Sequence, residues 1–168
     1  DVDCESLNEL VGKVMAAFEG YLQHHPTDVV IVVDDLSSTM AAAIVTKKSG
    51  IKLAHLVAGT RSFDLRMPKE INRLVIDGLS DLLFTAGMSS NSIANKEGAE
   101  LSKVYMVGNI LMDTLRANHD RLQRPQLADN LHLTEGNYIV FTLNRKALIA
   151  DTDNLQRMVE TLAQTVGD

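Results

Sequence analysis

The segment "VVIVVDDLSST", residues 29–39, decides the interpretation of the fold. An unbroken run of Val and Ile residues leads into two adjacent carboxylates, Asp34 and Asp35, and then into a hydroxyl-rich segment. A continuous apolar strand without alternation is typical of a parallel sheet that is covered on both faces. We therefore expect a buried strand that ends at the two aspartates.

Strand and helix patterns alternate on both sides of this segment. Apolar residues at helical spacing predict a helix over residues 7–22, and hydroxyl residues at the start with Gly50 at the end predict another over residues 37–50. The patterns predict further strands over 51–59, 81–86 and 103–109, with helices over 67–80, 89–99 and 111–123. Such alternation indicates an α/β fold, a doubly wound parallel sheet of Rossmann-like type with right-handed crossovers.

The chain divides into two parts at a polar stretch. Residues 123–136 are rich in polar and turn residues and are expected to be a linker. Residues 1–122 would then form most of one Rossmann-like domain, and a strand over 138–144 and a helix over 154–166 would open a second domain at residues 137–168. Because the chain starts without Met and both ends lie beside helices, we expect a piece of a longer protein.

Composition narrows the class of protein. The 168 residues are 45% hydrophobic, which is enough for a globular core, and the net charge of -6 without a basic block argues against a nucleic-acid partner. The single cysteine, Cys4, cannot form an internal disulfide or a thiolate zinc site and fits a reducing cytoplasm. No apolar run has the length of a membrane span, so no membrane partner is expected.

Polar clusters follow each predicted strand, and ligands of open α/β sheets bind where the carboxyl ends of strands meet. At the first strand end, the free N–H groups of the helix that begins near Ser37 favour an anion. The alternative is that Asp35 or Ser37 only caps this helix, and the sequence leaves both interpretations open. The other clusters are at residues 58–61, 85–87, 108–109 and 144–145.

Other candidate sites have simpler interpretations. The charges of the loop and helix start at residues 61–73 are typical of a solvated, salt-bridged face. His55 lies inside an apolar strand and is expected to be a core histidine, and we predict no metal site. A phosphoreceiver domain also has a strand that ends in "VDD", but Asp81 precedes its strand here and no Lys follows "YMVGN", so that class is excluded.

The strand-end segments together resemble the non-hydrolysing UDP-N-acetylglucosamine 2-epimerases of bacteria. The likeness extends over residues 26–145 and rests on segments that occur in the family's order. These are "VVIVVDDLSSTMAAA", "AHLVAGTRS", "PKEINR", "VYMVGNILMDTL" and "YIVFTLNR". They are similar to the family's Gly-Asp turn, its His-x-Glu-Ala-Gly-x-Arg, Pro-Glu-Glu-x-Asn-Arg and Thr-Gly-Asn-x-x-x-Asp segments, and its Thr-x-His-Arg strand end.

This resemblance implies a glycosyltransferase-B-type architecture, two Rossmann-like domains with a cleft between them, of which only part is present. The implied reaction interconverts UDP-N-acetylglucosamine and UDP-N-acetylmannosamine by elimination and re-addition of UDP, as part of polysaccharide biosynthesis. It implies no cofactor, a UDP-sugar as partner and a homodimer.

The resemblance also assigns roles to residues. Asp35 and Arg73 fall on catalytic positions of the family. The implied substrate-binding residues are Arg61, Glu70, Asn72, Asn109 and Arg145.

Several family positions are substituted in this chain. Asp34 replaces a Gly, Val57 and Lys69 each replace a Glu, and Asn144 replaces a His. Because the replaced Glu and His residues can move protons, the alternatives are a catalytically impaired UDP-sugar-binding or assembly subunit, or an enzyme on a related nucleotide sugar. Compensation would require Asp34 or Asp64 to take over a carboxylate role and Lys69 to hold a phosphate.

Overall fold

A computed structural model describes residues 2–144 and 146–166 of the chain. The chain forms two compact units, Asp1–Asp120 and Arg121–Asp168. The first unit contains the parallel sheet and its helices, and helices are the only regular elements among the described residues of the second.

The predicted α/β alternation of the first unit is confirmed. Each strand is followed by a helix before the next strand begins, and the helix bounds lie within a few residues of the predicted ones except for the last helix, which ends at Ala117 instead of at residue 123. The elements in chain order are α1 (Leu7–His24), β1 (Val29–Val33), α2 (Ser37–Lys48), β2 (Lys52–Ala58), α3 (Pro68–Leu79), β3 (Leu82–Thr85), α4 (Met88–Lys96), β4 (Val104–Met106) and α5 (Ile110–Ala117).

Local sequence explains several helix ends. The hydroxyl of Ser6 accepts a hydrogen bond from the N–H of Glu9 and so caps α1. Pro68 occupies the first turn of α3, where its missing N–H costs nothing. Asn109 caps α5 by accepting from the N–H of Leu111 at 3.0 Å.

The sheet is parallel throughout, with the strand order β1-β2-β3-β4. Val32, His55, Leu83 and Val104 form one row across the strands on the face that packs against the helices. Val32 and Leu53 pack there with Ala43 of α2 and Ile76 of α3, while Leu83 packs with Ala94 of α4. The core of this unit therefore lies between the sheet and one layer of helices.

The opposite face of the sheet is open. Ile31 is 62% exposed, Val33 47% and Tyr105 46%. Each new strand is added at the same edge of the sheet, beside the strand that precedes it in the chain. Because the crossovers are right-handed, α2, α3 and α4 then lie on the same face. The prediction that β1 is covered on both faces is therefore wrong for the described residues.

The second unit carries α6 (Gln126–Asn130), α7 (Lys146–Ala150) and α8 (Thr152–Val166). Helix α8 confirms the helix predicted for residues 154–166, and α6 lies within the predicted linker. The strand predicted over residues 138–144 is wrong, because these residues pair with no strand of the described chain. None of the described helices is long and apolar enough to cross a membrane.

We predict that Gly59→Ala destabilises the first unit more than Gly50→Ala. Both glycines have φ +74, so each substitution forces Ala into the left-handed region at about 1–2 kcal/mol. A Cβ at Gly59 would also lie 2.2 Å from the backbone oxygen of Ser90, whereas a Cβ at Gly50 would contact nothing within 4 Å. Overpacking of this kind adds about 1–3 kcal/mol. Urea unfolding of the two variants measures the difference, and equal losses would contradict the close contact.

Candidate functional site

The turn after β1 directs Asp35 away from the helix that follows. Asp34 has φ 70, a left-handed conformation that is uncommon for a residue with a side chain. The N-cap of α2 is Leu36, and no side chain caps this helix. The interpretation of Asp35 or Ser37 as a helix cap is therefore wrong, and the Asp35 carboxylate binds elsewhere.

Two cations of α3 hold the Asp35 carboxylate. Oδ2 of Asp35 accepts from Nε of Arg73 at 2.8 Å and lies 2.7 Å from its Nη2. Nζ of Lys69 lies 3.0 Å from Oδ1. Burial raises the pKa of Asp35, but Lys69 and Arg73 outweigh it and hold the pKa below its ordinary value. The structure thus joins the two predicted catalytic residues and presents an ionised carboxylate.

Glu70 and Asn72 belong to the same group of residues. The Asn72 amide donates to the backbone oxygen of Asp35 at 2.9 Å. The Glu70 carboxylate accepts from the N–H and hydroxyl of Ser62, from the N–H of Phe63, and from Nη1 of Arg73 at 2.9 Å. Burial raises the pKa of Glu70, and these donors lower it further than burial raises it. We call Asp35, Lys69, Glu70, Asn72 and Arg73 the Asp35 cluster.

Burial separates this cluster from an ordinary charged surface. The side chain of Glu70 is 2% exposed and that of Arg73 is 14% exposed. The interpretation of residues 61–73 as a solvated face is therefore wrong for these two side chains. It holds for the pair formed by Arg66 and Asp64, in which the Arg66 side chain is 90% exposed.

A cavity of about 220 Å³ opens beside the cluster. Its polar lining comes from Asp35, Lys69, Asn72 and the first residues of α2, and its apolar lining comes mainly from α1 and the loop before α2. The residues that line it are Leu7, Leu10, Asp35, Leu36, Ser37, Ser38, Pro68, Lys69 and Asn72. The first residues of α2, which no side chain caps, and Lys69 thus help to line one concave surface that is mainly apolar.

A second, deeper group of charges surrounds Asp77 of α3. Its Oδ1 lies 2.6 Å from Nδ1 of His55, and its Oδ2 accepts from the N–H of Gly59 at 3.0 Å and lies 2.7 Å from Nη1 of Arg61. Arg61 also pairs with Glu97, with Nε 2.9 Å from Oε1. We call these five residues the Asp77 network.

The Asp77 network contains two residues that the sequence singled out, Arg61 and His55. The Arg61 side chain is 1% exposed, and its guanidinium contacts Asp77 and Glu97. The substrate-binding role of Arg61 stays a prediction, because this guanidinium is already held between two carboxylates. His55 is 2% exposed and hydrogen-bonded, which confirms the prediction of a core histidine.

The remaining predicted residues lie outside the Asp35 cluster. Val57 has φ 66 at a register shift of β2 and is 37% exposed. Asn109 caps α5, and Asn144 is an exposed residue of the second unit. Arg145 lies outside the described residues. Within residues 2–144 and 146–166, no group of three or more His, Cys, Asp or Glu side chains is placed to hold a metal ion.

Sequence reasoning missed Asp77 and Glu97. A signal for Asp77 was present, because Glu70, Arg73 and Asp77 recur at helical spacing and so share one face of α3. Glu97 gives no such signal, since it meets Arg61 only through the packing of α4 against β3 and β4.

Comparison with known proteins connects this arrangement with a family. The family model for UDP-N-acetylglucosamine 2-epimerase matches residues 1–168. The chain belongs to this family. The parallel sheet with its flanking helices agrees with the Rossmann-like fold that the sequence predicts.

Individual epimerases of the family are similar over nearly the whole chain. A UDP-N-acetylglucosamine 2-epimerase of Methanocaldococcus jannaschii is 31% identical over 161 residues, which cover 94% of this chain and 44% of that protein. A UDP-2,3-diacetamido-2,3-dideoxy-D-glucuronate 2-epimerase of Pseudomonas aeruginosa is 30% identical and covers 96% of this chain and 45% of its own length. The chain thus spans less than half of these relatives.

A solved structure supports the fold as well. The Methanocaldococcus jannaschii epimerase in complex with UDP-GlcNAc and UDP superposes with a TM-score of 0.78 at 31% identity. The match covers 95% of this chain and 44% of that one. The chain therefore also spans less than half of that solved structure.

We predict that Arg73→Met costs far more stability than Lys69→Met, although both remove a cation from Asp35. The Arg73 side chain is 14% exposed and serves two buried carboxylates, so its loss costs about 3 kcal/mol or more. The Lys69 side chain is 54% exposed, and its loss costs below about 1 kcal/mol. Urea unfolding at neutral pH measures both values.

The Arg73→Met effect should depend on pH with a definite sign. The lowered pKa of Asp35 means that its ion pairs contribute stability above the ordinary value of 3.8, and that this contribution is lost as the pH falls through the lower folded-state pKa. Removing Arg73 raises the folded-state pKa, so the stability gap between the two proteins is largest at neutral pH and narrows below 3.8. A gap that stays constant down to pH 3 would contradict an ionised Asp35.

Proposed function

We propose that the protein is a UDP-N-acetylglucosamine 2-epimerase, which interconverts UDP-GlcNAc and UDP-ManNAc by elimination and re-addition of UDP. The family match over residues 1–168 supports this activity. The observation that carries it is the buried, ionised Asp35 beside a concave surface at the carboxyl end of β1. Parallel α/β sheets place their ligands at this edge.

The proposed reaction needs two kinds of group. A base must take the proton from C2 of the sugar, and cations or N–H donors must stabilise the departing diphosphate. Asp35 is the carboxylate that the cluster offers for the first task. Lys69 and the first residues of α2 line the same cavity, and the Lys69 ammonium and the uncapped N–H groups of α2 would serve the second task if they turn toward the substrate.

A second candidate is the same reaction on a related UDP-sugar. The Pseudomonas aeruginosa relative, 30% identical to this chain, is a UDP-2,3-diacetamido-2,3-dideoxy-D-glucuronate 2-epimerase. Its identity is close to the 31% of the Methanocaldococcus jannaschii enzyme, so sequence similarity does not choose between the two substrates. Two substituted residues lie near the place at which a sugar would bind. Val57 lies near the end of β2, and Lys69 lines the cavity beside Asp35.

Assembly and location are part of the proposal. We expect the full-length protein to be a homodimer in the cytoplasm that uses no redox cofactor. The substrate-binding roles of Arg61, Glu70, Asn72, Asn109 and Arg145 belong to the same proposal. For Glu70 and Asn72, their places in the Asp35 cluster support such a role, Asn72 by contact with Asp35 and Glu70 through Arg73.

Deuterium exchange tests the function directly. The full-length protein is incubated in D₂O with UDP-GlcNAc, and separately with the UDP-diacetamido-glucuronate, and C2 of each sugar is followed by NMR. We expect deuterium at C2 together with the second epimer for one of the two sugars. Binding without exchange for both sugars would contradict an epimerase and favour an impaired UDP-sugar-binding subunit.

We predict that Asp35→Asn lowers the exchange rate by about 10²–10⁴-fold, the usual effect of losing a group that transfers protons. Asp34→Gly is the matched control, because it removes the neighbouring carboxylate and places at φ 70 a residue that adopts this conformation freely. Its exchange rate should stay within about tenfold of the unmodified protein. If Asp34→Gly abolishes exchange while Asp35→Asn does not, Asp34 has taken over the chemistry.

A further inference from the structure

We infer that His55 is a doubly protonated positioning residue, which Asp77 holds and which fixes the peptide that joins Asp34 to Asp35. Its consequence for catalysis rests on the proposed function. Its hydrogen bonds and its charge do not depend on that function and can be measured separately.

Both ring nitrogens of His55 face an acceptor. Nδ1 lies 2.6 Å from Oδ1 of Asp77, and Nε2 lies 3.2 Å from the backbone oxygen of Asp34. A carbonyl oxygen can only accept, so Nε2 carries a proton if it forms this bond. Nδ1 carries one as well if Asp77 is a carboxylate.

The surroundings of Asp77 require it to be ionised. Its second oxygen, Oδ2, accepts from the N–H of Gly59 and contacts the cationic Nη1 of Arg61. Even without a charge on His55, the Arg61 guanidinium and the Gly59 N–H favour the carboxylate form of Asp77. An ionised Asp77 has no proton to give to Nδ1, so the two hydrogen bonds of the ring together assign a proton to each nitrogen.

Charge balance agrees with this assignment. The charged groups of the network are Asp77 on α3, Glu97 after α4, Arg61 on the loop after β2, and His55 itself. With an imidazolium the network contains two cations and two anions. With a neutral ring it would carry an excess negative charge around a His55 side chain that is only 2% exposed, which burial opposes.

The hydrogen bond from Nε2 acts on the backbone of Asp35. The peptide before the α-carbon of Asp35 is held through the Asp34 oxygen by His55, and the peptide after it is held through the Asp35 oxygen by Asn72. With both flanking peptides held, the direction in which the Cα–Cβ bond of Asp35 leaves the backbone is fixed, and Arg73 and Lys69 then hold the carboxylate itself. The left-handed Asp34, at φ 70, is the part of this turn that most needs such support.

The first test detects the ring protons without using activity. Two-bond ¹H–¹⁵N spectra of the full-length protein at neutral pH should show both His55 nitrogens with the shifts of an imidazolium. Asp77→Asn removes the carboxylate that faces the ring and should convert it to a neutral form. A neutral ring in the unmodified protein would overturn the assignment, whatever the outcome of the sugar assays.

The second test compares two amides that each replace one ring nitrogen. In His55→Gln, the side-chain N–H₂ takes the place of Nε2, so a donor for the Asp34 oxygen is kept. In His55→Asn, the side-chain N–H₂ takes the place of Nδ1, so a donor for Asp77 is kept and the donor for Asp34 is lost. A positioning role predicts that His55→Asn lowers kcat about 10²-fold with little change in KM, and that His55→Gln stays within about tenfold. His119→Asn, whose side chain is 78% exposed in the native protein, is the control for loss of a histidine.

Equal losses of kcat in the two amide variants would overturn the positioning role, since both lose the ring and its charge. If the unmodified protein shows no deuterium exchange, the proposed function fails. The ring spectra and the ¹³C shift of the Asp35 carboxyl in the two variants then still decide whether His55 orients that side chain. A shift that changes in His55→Asn and not in His55→Gln supports the inference.

Discussion

The rest of the site depends on the contacts of the Asp77 carboxylate. It lies on α3 and binds His55 within β2, the N–H of Gly59 beyond the end of β2, and Arg61 on the following loop. These contacts fix how α3 lies against the strand ends. Because α3 also carries Lys69, Glu70, Asn72 and Arg73, the same contacts set the distances at which these residues meet Asp35.

Helix α3 is held by charge more than by apolar packing. Its buried residues are Glu70, Asn72, Ile76 and Asp77, of which only Ile76 is apolar. Buried carboxylates destabilise a fold unless each oxygen has a donor, and a satisfied polar network in turn selects one arrangement of the chain. The described donors to Glu70 and Asp77 meet this condition, so the position of α3 is specified by hydrogen-bond geometry that few alternative packings would reproduce.

Prediction from sequence succeeded where the signal was periodic or local. The spacing of apolar residues predicted the order of strands and helices in the first unit. This pattern depends on which face of each element is buried and little on which neighbouring element covers that face. It failed at residues 138–144, where the apolar run favours a strand but a strand also needs a neighbour for its N–H and C=O groups. The prediction of a solvated face failed for Glu70, whose side chain is buried. Its burial depends on donors from Ser62, Phe63 and Arg73, and the first two lie on a loop whose conformation the sequence pattern does not reveal.

If Asp35 is the base of the proposed reaction, the two cations that contact it have opposing effects on that role. They keep the carboxylate ionised, and by lowering its pKa they also weaken its tendency to accept a proton. The Arg73 side chain is largely buried and also pairs with Glu70, whereas the Lys69 side chain is 54% exposed. Of the two cations, Lys69 is therefore the one whose loss from Oδ1 would raise the pKa of Asp35 at the smaller cost in stability. In the proposed reaction, an anionic group of the substrate would compete for that ammonium and would raise the basicity of Asp35 as it binds.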